Sequence, residues 1–460
     1  MLNIDANLQP SDLLPAIRRM WSLSARKIRD IETSYPIEQG SPVFTINGKY
    51  TTRGWTEWTQ GFVYGSALLQ FEAGDDEEFL EIGRRNTLER MAVHVTHFGV
   101  HDHGFNNIST YGNLLRLIEQ GRLPEDPWQR HFCQLALKCS GAVQARRWTA
   151  LPEGGGFIYS FNGPHSLFAD TIRSLRVLAV AHQLGHRLAG EQDQSVSLLE
   201  RLVEHARSTS RWNVYFGTGR DVFDQRGRVA HESIFNLNNG CYRCPSSQQG
   251  YSPFSTWTRG LAWVLCGFAE QLEFLADLPD AELEPFAGRQ ALEAEFRQTA
   301  EATADFYIEQ TPTDGIPYWD TGAPNLHRLG DYLMRPAEPN NDWEPVDSSA
   351  AAIAVQGLLR LGQYLLRRNQ EQEAARYRQA GLTVLRTLLQ DSCLGLEPEH
   401  QGLLLHGLYH RPNGWDAIPA GSRVPNGESC MWGDYHLREA ALLAQRLAEA
   451  GSYPKFYPES

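Results

Sequence analysis

Residues 251–272 read YSPFSTWTRGLAWVLCGFAEQL. A polar, aromatic turn opens the stretch, and an apolar run with helical spacing follows. Leu261, Val264, Leu265, Phe268 and Leu272 recur on one face. Five other stretches open in the same way: WTEWTQGF from Trp55, HDHGFNN from His101, SLFADT from Ser166, PVDSSAA from Pro345 and ESCMWGDY from Glu428. Charged amphipathic stretches alternate with them, near 11–34, 76–98, 128–147, 193–211, 287–309 and 371–391. Leu292, Phe296, Ala300 and Tyr307 trace the buried face of one of these. The repetition is one of pattern rather than of sequence.

Six charged and six apolar helices in alternation predict an all-α chain that closes into a double ring. The charged helices face outward and the apolar ones line the inside. Helices joined as hairpins run antiparallel, so the six inner helices point the same way. Their N-termini gather at one mouth, where partial positive charge and free N–H groups favour an anionic ligand. The 460 residues contain no Ser/Gly tract, Pro run or block of like charge, so residues 1–460 are expected to form a single domain.

Composition narrows the function. With 42% hydrophobic and 21% charged residues the chain is too apolar for disorder. A net charge of −13 argues against a nucleic-acid partner. No apolar run approaches the ~20 residues of a membrane span. The seven cysteines are scattered, and residues 1–21 lack the pattern of a secretory signal, so a cytoplasmic location is expected.

Asp102 and Asp170 each open an inner helix. An isolated Asp at such a position is ordinarily an N-cap. Two carboxylates sharing one cavity can instead divide the work, one holding a proton while the other stays charged. Gln249, Trp257 and Arg259 form the strongest local group: Trp offers a flat face to a sugar, and Arg can grip a carboxylate with two parallel hydrogen bonds. The loop from Leu405 to Pro412 brings His406, Tyr409, His410 and Arg411, either to cover a ligand or simply to connect two helices. Cys241 and Cys244 form a lone CxxC with no second pair, which falls short of a four-ligand zinc site. Signatures of phosphate loops, dinucleotide folds, HExxH sites and GxSxG elbows are absent.

In this order the motifs resemble those of the unsaturated glucuronyl hydrolases, glycoside hydrolase family 88, and more distantly the unsaturated rhamnogalacturonyl hydrolases of family 105. The matching pieces are Trp58-Thr59-x-Gly61-Phe62, His101-Asp102-x-Gly104-Phe105, the helix start at Asp170, and Gln249-Gly250-Tyr251 with Trp257-x-Arg259-Gly260. Ile316 to Asp320, Asp347 to Ala351, His406-Gly407-x-Tyr409-His410 and Trp432 to Tyr435 complete them. The resemblance implies an (α/α)6 barrel that removes a terminal 4,5-unsaturated uronic acid from an acidic oligosaccharide by hydrating its vinyl ether. It also implies that Asp170 is the general acid and base and that Asp102 is its charged partner. Gln249, Trp257 and Arg259 become contacts to the uronate and Trp58 a stacking wall, with His101, His406 and Tyr409 as further substrate contacts. No metal or organic cofactor is implied.

The chain departs from the family pattern at His103, Asn106 and Asn107, at Thr171 to Ser174, and at Gln248, and its 213–247 stretch is longer than usual. Two other readings remain at this point: a hydrolase of saturated glycosides using the same Asp pair, and a silent sugar-binding protein.

Overall fold

The computed structural model describes residues 1–54, 58–451, 453 and 455. Residues 55–57, the start of the first predicted opening, lie outside them.

The outer helices are α1 (Leu14–Ser34), α3 (Glu77–Arg90), α5 (Pro127–Arg146), α7 (Leu198–Asn213), α9 (Gly288–Gln310) and α11 (Glu371–Leu388). The inner ones are α2 (Gln60–Gly74), α4, α6, α8 (Thr258–Ala276), α10 (Ser348–Arg367) and α12 (Met431–Ala450). Two inner helices are irregular. α4 runs as His103–Asn107, a π segment Ile108–Gly112, and Asn113–Glu119. α6 begins as a 3-10 turn, Ala169–Ser174, and continues as Leu175–Gln183. Each inner helix contacts the next, and α12 closes on α2. The (α/α)6 barrel predicted from the alternation is therefore the observed fold.

Burial follows the two helix types. Every residue of α8 from Thr258 to Leu275 is buried, because it has neighbours on all sides. α1 buries only a stripe, including Ile17, Met20, Trp21 and Ile28. The inner ring is tight. A Cβ on Gly61 would sit 2.3 Å from the Asn106 carbonyl oxygen, and one on Gly65 would sit 2.4 Å from that of Ser109. α2 and α4 thus meet backbone to backbone, which only glycine permits.

Beneath the mouth the barrel axis is filled by paired charges. Arg173 meets Glu270 at 2.8 Å and Glu439 at 3.2 Å, Arg176 bridges the same two acids, and Arg360 meets Glu273 at 2.8 Å. Arg173, one turn beyond Asp170, is accordingly a buried ion-pair residue directed at the axis. Buried charges of this kind hold only when paired on each side.

The 213–247 stretch supplies two strands, Glu232–Phe235 and Tyr242–Ser246, which extend strand Ser166–Phe168 into a three-stranded antiparallel sheet. Phe168 pairs with Glu232, and the Ala169 N–H donates to the His231 carbonyl at 2.9 Å. This hairpin therefore carries His231 to the first turn of α6.

Candidate active site

At the mouth a cavity of about 190 Å³ opens between the inner-helix N-termini. Its walls include Trp58, His101, Asp102, Phe105, Asp170, Gln249, Trp257, Arg259 and Tyr409. Eight of the nine residues singled out in the sequence therefore meet at one place. The ninth, His406, does not. Its Nδ1 accepts from the Gly427 N–H at 3.0 Å and its Nε2 lies 3.0 Å from the Ser392 carbonyl, so both ring nitrogens secure the loop. His406 as a substrate contact is corrected to a loop anchor.

Neither candidate aspartate caps its helix. Asp102 occupies the N-cap position of α4 but makes no side-chain cap bond. Asp170 lies inside the first turn of α6, after Phe168. By contrast, Asp347 caps α10 through the Ser349 N–H at 3.1 Å. The Asp102 and Asp170 carboxylates are thus available to the cavity, and each is almost wholly buried.

Burial pushes the Asp102 carboxyl up. The charge of Asp170 adds to this, and the net position is raised although His101 opposes it. Burial also pushes Asp170 up, but the charge of His101, whose Nε2 is 3.6 Å from its Oδ2, leads the opposing influences, and Asp170 ends lowered. At 3.6 Å the contact is an ion pair rather than a hydrogen bond. His101 loses basicity through burial and regains more from the two carboxylates, ending raised. The three groups form one coupled unit. These directions make the Asp102–His101 side hold a proton more readily than Asp170.

His231 completes the back wall. Its Nδ1 accepts from the backbone N–H groups of Gln248 at 2.9 Å and Gln249 at 3.3 Å, which leaves the proton on Nε2. It packs against Phe168 and Trp257, with ring centroids 4.4 and 4.9 Å away. Burial holds it neutral, at about 4.

The two-pronged grip of Arg259 on a substrate carboxylate also needs correction. Nη1 donates to Asp347 at 2.6 Å and to the Leu408 carbonyl, while Nη2 donates to Gln249 Oε1 at 3.1 Å and the Tyr409 carbonyl at 2.7 Å. The fork is occupied by protein. It ties α8, the α10 cap and the 405–410 loop together and engages the side-chain carbonyl oxygen of Gln249, a cavity-wall residue whose amide NH2 remains a donor.

Sequence reading missed several lining residues. Trp263 was hidden in the apolar run of α8, and Phe161 and Trp415 sit on loops without periodic pattern. His231 carries no motif of its own in the sequence; pairing of its hairpin with Ser166–Phe168 is what brings it to the site. Cys241 and Cys244 are exposed and free, and no group of three or more potential metal ligands occurs among the described residues.

A helical barrel whose mouth holds two uncapped carboxylates among aromatic rings has the parts a carbohydrate hydrolase needs: flat faces for a sugar and groups that can move a proton. The particular likeness is to the unsaturated glucuronyl hydrolases. The chain is 26% identical over 441 residues to the unsaturated glucuronyl hydrolase of Bacillus sp. (strain GL1), covering 94% of this chain and 96% of that one. It is 22% identical to an unsaturated chondroitin disaccharide hydrolase of Streptococcus agalactiae serotype III (strain NEM316), covering 86% and 84%. The crystal structure of the Bacillus sp. GL1 unsaturated glucuronyl hydrolase, responsible for the degradation of glycosaminoglycan, superposes with a TM-score of 0.69 at 23% identity over 95% of this chain and 99% of that one. No protein-family model matches the chain. The resemblance read from the motifs is borne out by these relatives, and so is the barrel by the superposition.

Proposed function

We propose that this chain is a glycoside hydrolase that removes a terminal 4,5-unsaturated uronic acid from an acidic oligosaccharide. The observation that carries the reading is the Asp102–His101–Asp170 unit: three coupled ionisable groups, uncapped, facing one cavity walled by Trp58, Trp257 and Tyr409. Such a site can deliver a proton and take one back, which hydration of a vinyl ether requires.

In this reading the unsaturated ring stacks in the pocket, and the Gln249 NH2 end, held by Arg259, donates to its carboxylate. Entry of an anionic sugar expels water and adds negative charge, and both favour the protonated form of the facing carboxyl. Asp170 takes up the proton and passes it to C4, leaving positive charge shared between C5 and the ring oxygen. Asp102 stabilises that charge. Water adds at C5 and returns its proton to Asp170. The hemiketal opens, and the bond to the leaving sugar breaks at C1. The carboxylate that gave the proton is the one restored, so the cycle closes without another reactant. The whole chain acts as one catalytic domain in the cytoplasm, after a lyase has cut the polymer and created the double bond.

The test is ultraviolet absorbance. Unsaturated disaccharides from lyase digests of glycosaminoglycans, pectin and xanthan absorb through the double bond, and hydration removes the signal. Signal loss with wild type and none with Asp170→Asn supports the reading. Release of sugar from saturated glycosides without any loss of absorbance on unsaturated ones overturns it.

A further inference from the structure

The aromatic wall of the pocket continues outward. Trp58 stacks on Trp432 at 4.9 Å, Trp432 meets Tyr409 at 5.2 Å, and Tyr409 meets Trp415 at 5.2 Å. Exposure orders the last three rings from inside to outside: 0% for Trp432, 8% for Tyr409 and 37% for Trp415. At the outer end lies Arg53. Its guanidinium carbon is 4.4 Å from the Trp415 ring centre, 5.4 Å from Phe44 and 5.7 Å from Tyr409.

Arg53 differs from Arg259. Arg259 is buried, and its fork is engaged with Asp347, Gln249 and two carbonyls. Arg53 is exposed, and among the described residues its guanidinium has neither a carboxylate partner nor a hydrogen-bond acceptor. In a chain of net charge −13 such a cation is conspicuous. Three rings fix its position, so little side-chain freedom remains to be lost on binding. A guanidinium held over an indole face still presents its in-plane N–H groups, which match the spacing of two oxyanion oxygens.

We propose that Arg53 is the specificity-determining cation of the outer rim, binding an oxyanion substituent, sulfate or carboxylate, on the leaving sugar. The inference rests on the reading of the pocket as an unsaturated uronide site. With the unsaturated ring beside Asp102 and Asp170 at the inner end, the leaving sugar extends along Tyr409 and Trp415 toward the rim. Its substituents are then the groups that come within reach of Arg53.

The experiment compares kcat/KM on three unsaturated disaccharides: unsulfated chondroitin, 6-sulfated chondroitin, and the pectin-derived uronide whose leaving sugar carries a carboxylate. Wild type is expected to favour one or both charged leaving sugars by roughly tenfold or more, the scale of a hydrogen bond to a charged group. The arm that shows the preference identifies the oxyanion. Arg53→Gln should bring that ratio near one while changing the unsulfated substrate by less than about twofold, and Arg53→Lys should keep part of it. A merely structural role would lower all three substrates together. A wild-type ratio near one, or a ratio that survives in Arg53→Gln, overturns the proposal. So does an equal loss on all three, which would mean that Arg53 acts on no feature of the leaving sugar. If wild type consumes none of the three, the hydrolase reading fails separately. Calorimetric binding of the same disaccharides then reads the same ratio without turnover.

Discussion

Arg259→Met separates a residue that grips substrate from one that holds the site together. Asp347 is fully buried, and its Oδ2 is 2.6 Å from Arg259 Nη1. The methionine variant retains the bonds to Asp347 Oδ1 from the Ser349 N–H and hydroxyl and removes the partner of Oδ2. Breaking a buried pair on one side costs about 3–5 kcal/mol, because an uncompensated charge remains inside. Two carbonyls in the 405–410 loop and Gln249 lose their donor as well. Urea unfolding should therefore show a loss on that scale. The double variant Arg259→Met/Asp347→Asn, which keeps a side chain able to cap α10, should recover a large part of it. In steady-state assays kcat/KM should fall on every unsaturated uronide, since Gln249 is freed whatever the leaving sugar. A single variant that loses less than about 1 kcal/mol of stability, the level of an exposed ion pair, would refute the reasoning. It would mean that the fork readily leaves its protein partners and is available to substrate.

Removing the cation beside Asp170 in His101→Asn leaves burial as the dominant influence on that carboxyl and raises it, so the pH profile of kcat/KM should shift; an unmoved profile would remove His101 from the coupled unit. Burial depresses His94, His103, His231 and His410 to about 4, and His205 and His436 to about 3. Each folded value lies below the unfolded one near 6.5. Their contribution is therefore present above pH 6.5 and is lost as pH falls toward 4 and 3, at up to about 1.4 kcal/mol per pH unit for each ring. Urea midpoints should drop steeply between pH 6.5 and 5, and flat stability there would contradict the neutral buried rings. Gly61→Ala places a methyl group against the Asn106 carbonyl, where α2 meets α4. Overpacking of this kind costs about 1–3 kcal/mol, and the shift of α4 should lower kcat with it; wild-type unfolding and turnover would show that the helices can separate freely.

Much of the barrel is legible in the chain because its signals are local. The apolar period of residues 261–272 and the charged faces of the outer helices follow from spacing along one helix, and their alternation leaves few ways to bury the apolar members. Asp102, Asp170, Gln249 and Trp257 are legible for a related reason: each stands at or just before an inner-helix N-terminus, and parallel inner helices bring those ends together. Their chemical states are not local. Asp102 and Asp170 look alike in sequence, yet burial and the charge of Asp170 leave Asp102 raised, whereas His101, carried across from the start of α4, leaves Asp170 lowered. The charge of Arg259 is visible in the sequence, but its occupation by Asp347, Gln249 and two carbonyls depends on chains meeting over separations of 88, 10, 149 and 150 residues. A ring of helices with acids and aromatics at one mouth follows from local pattern. Which acid holds its proton more tightly, which arginine is occupied and which lies at the rim follow from the packed fold, because electrostatic state is set by distance and burial, and neither is a property of the chain's order.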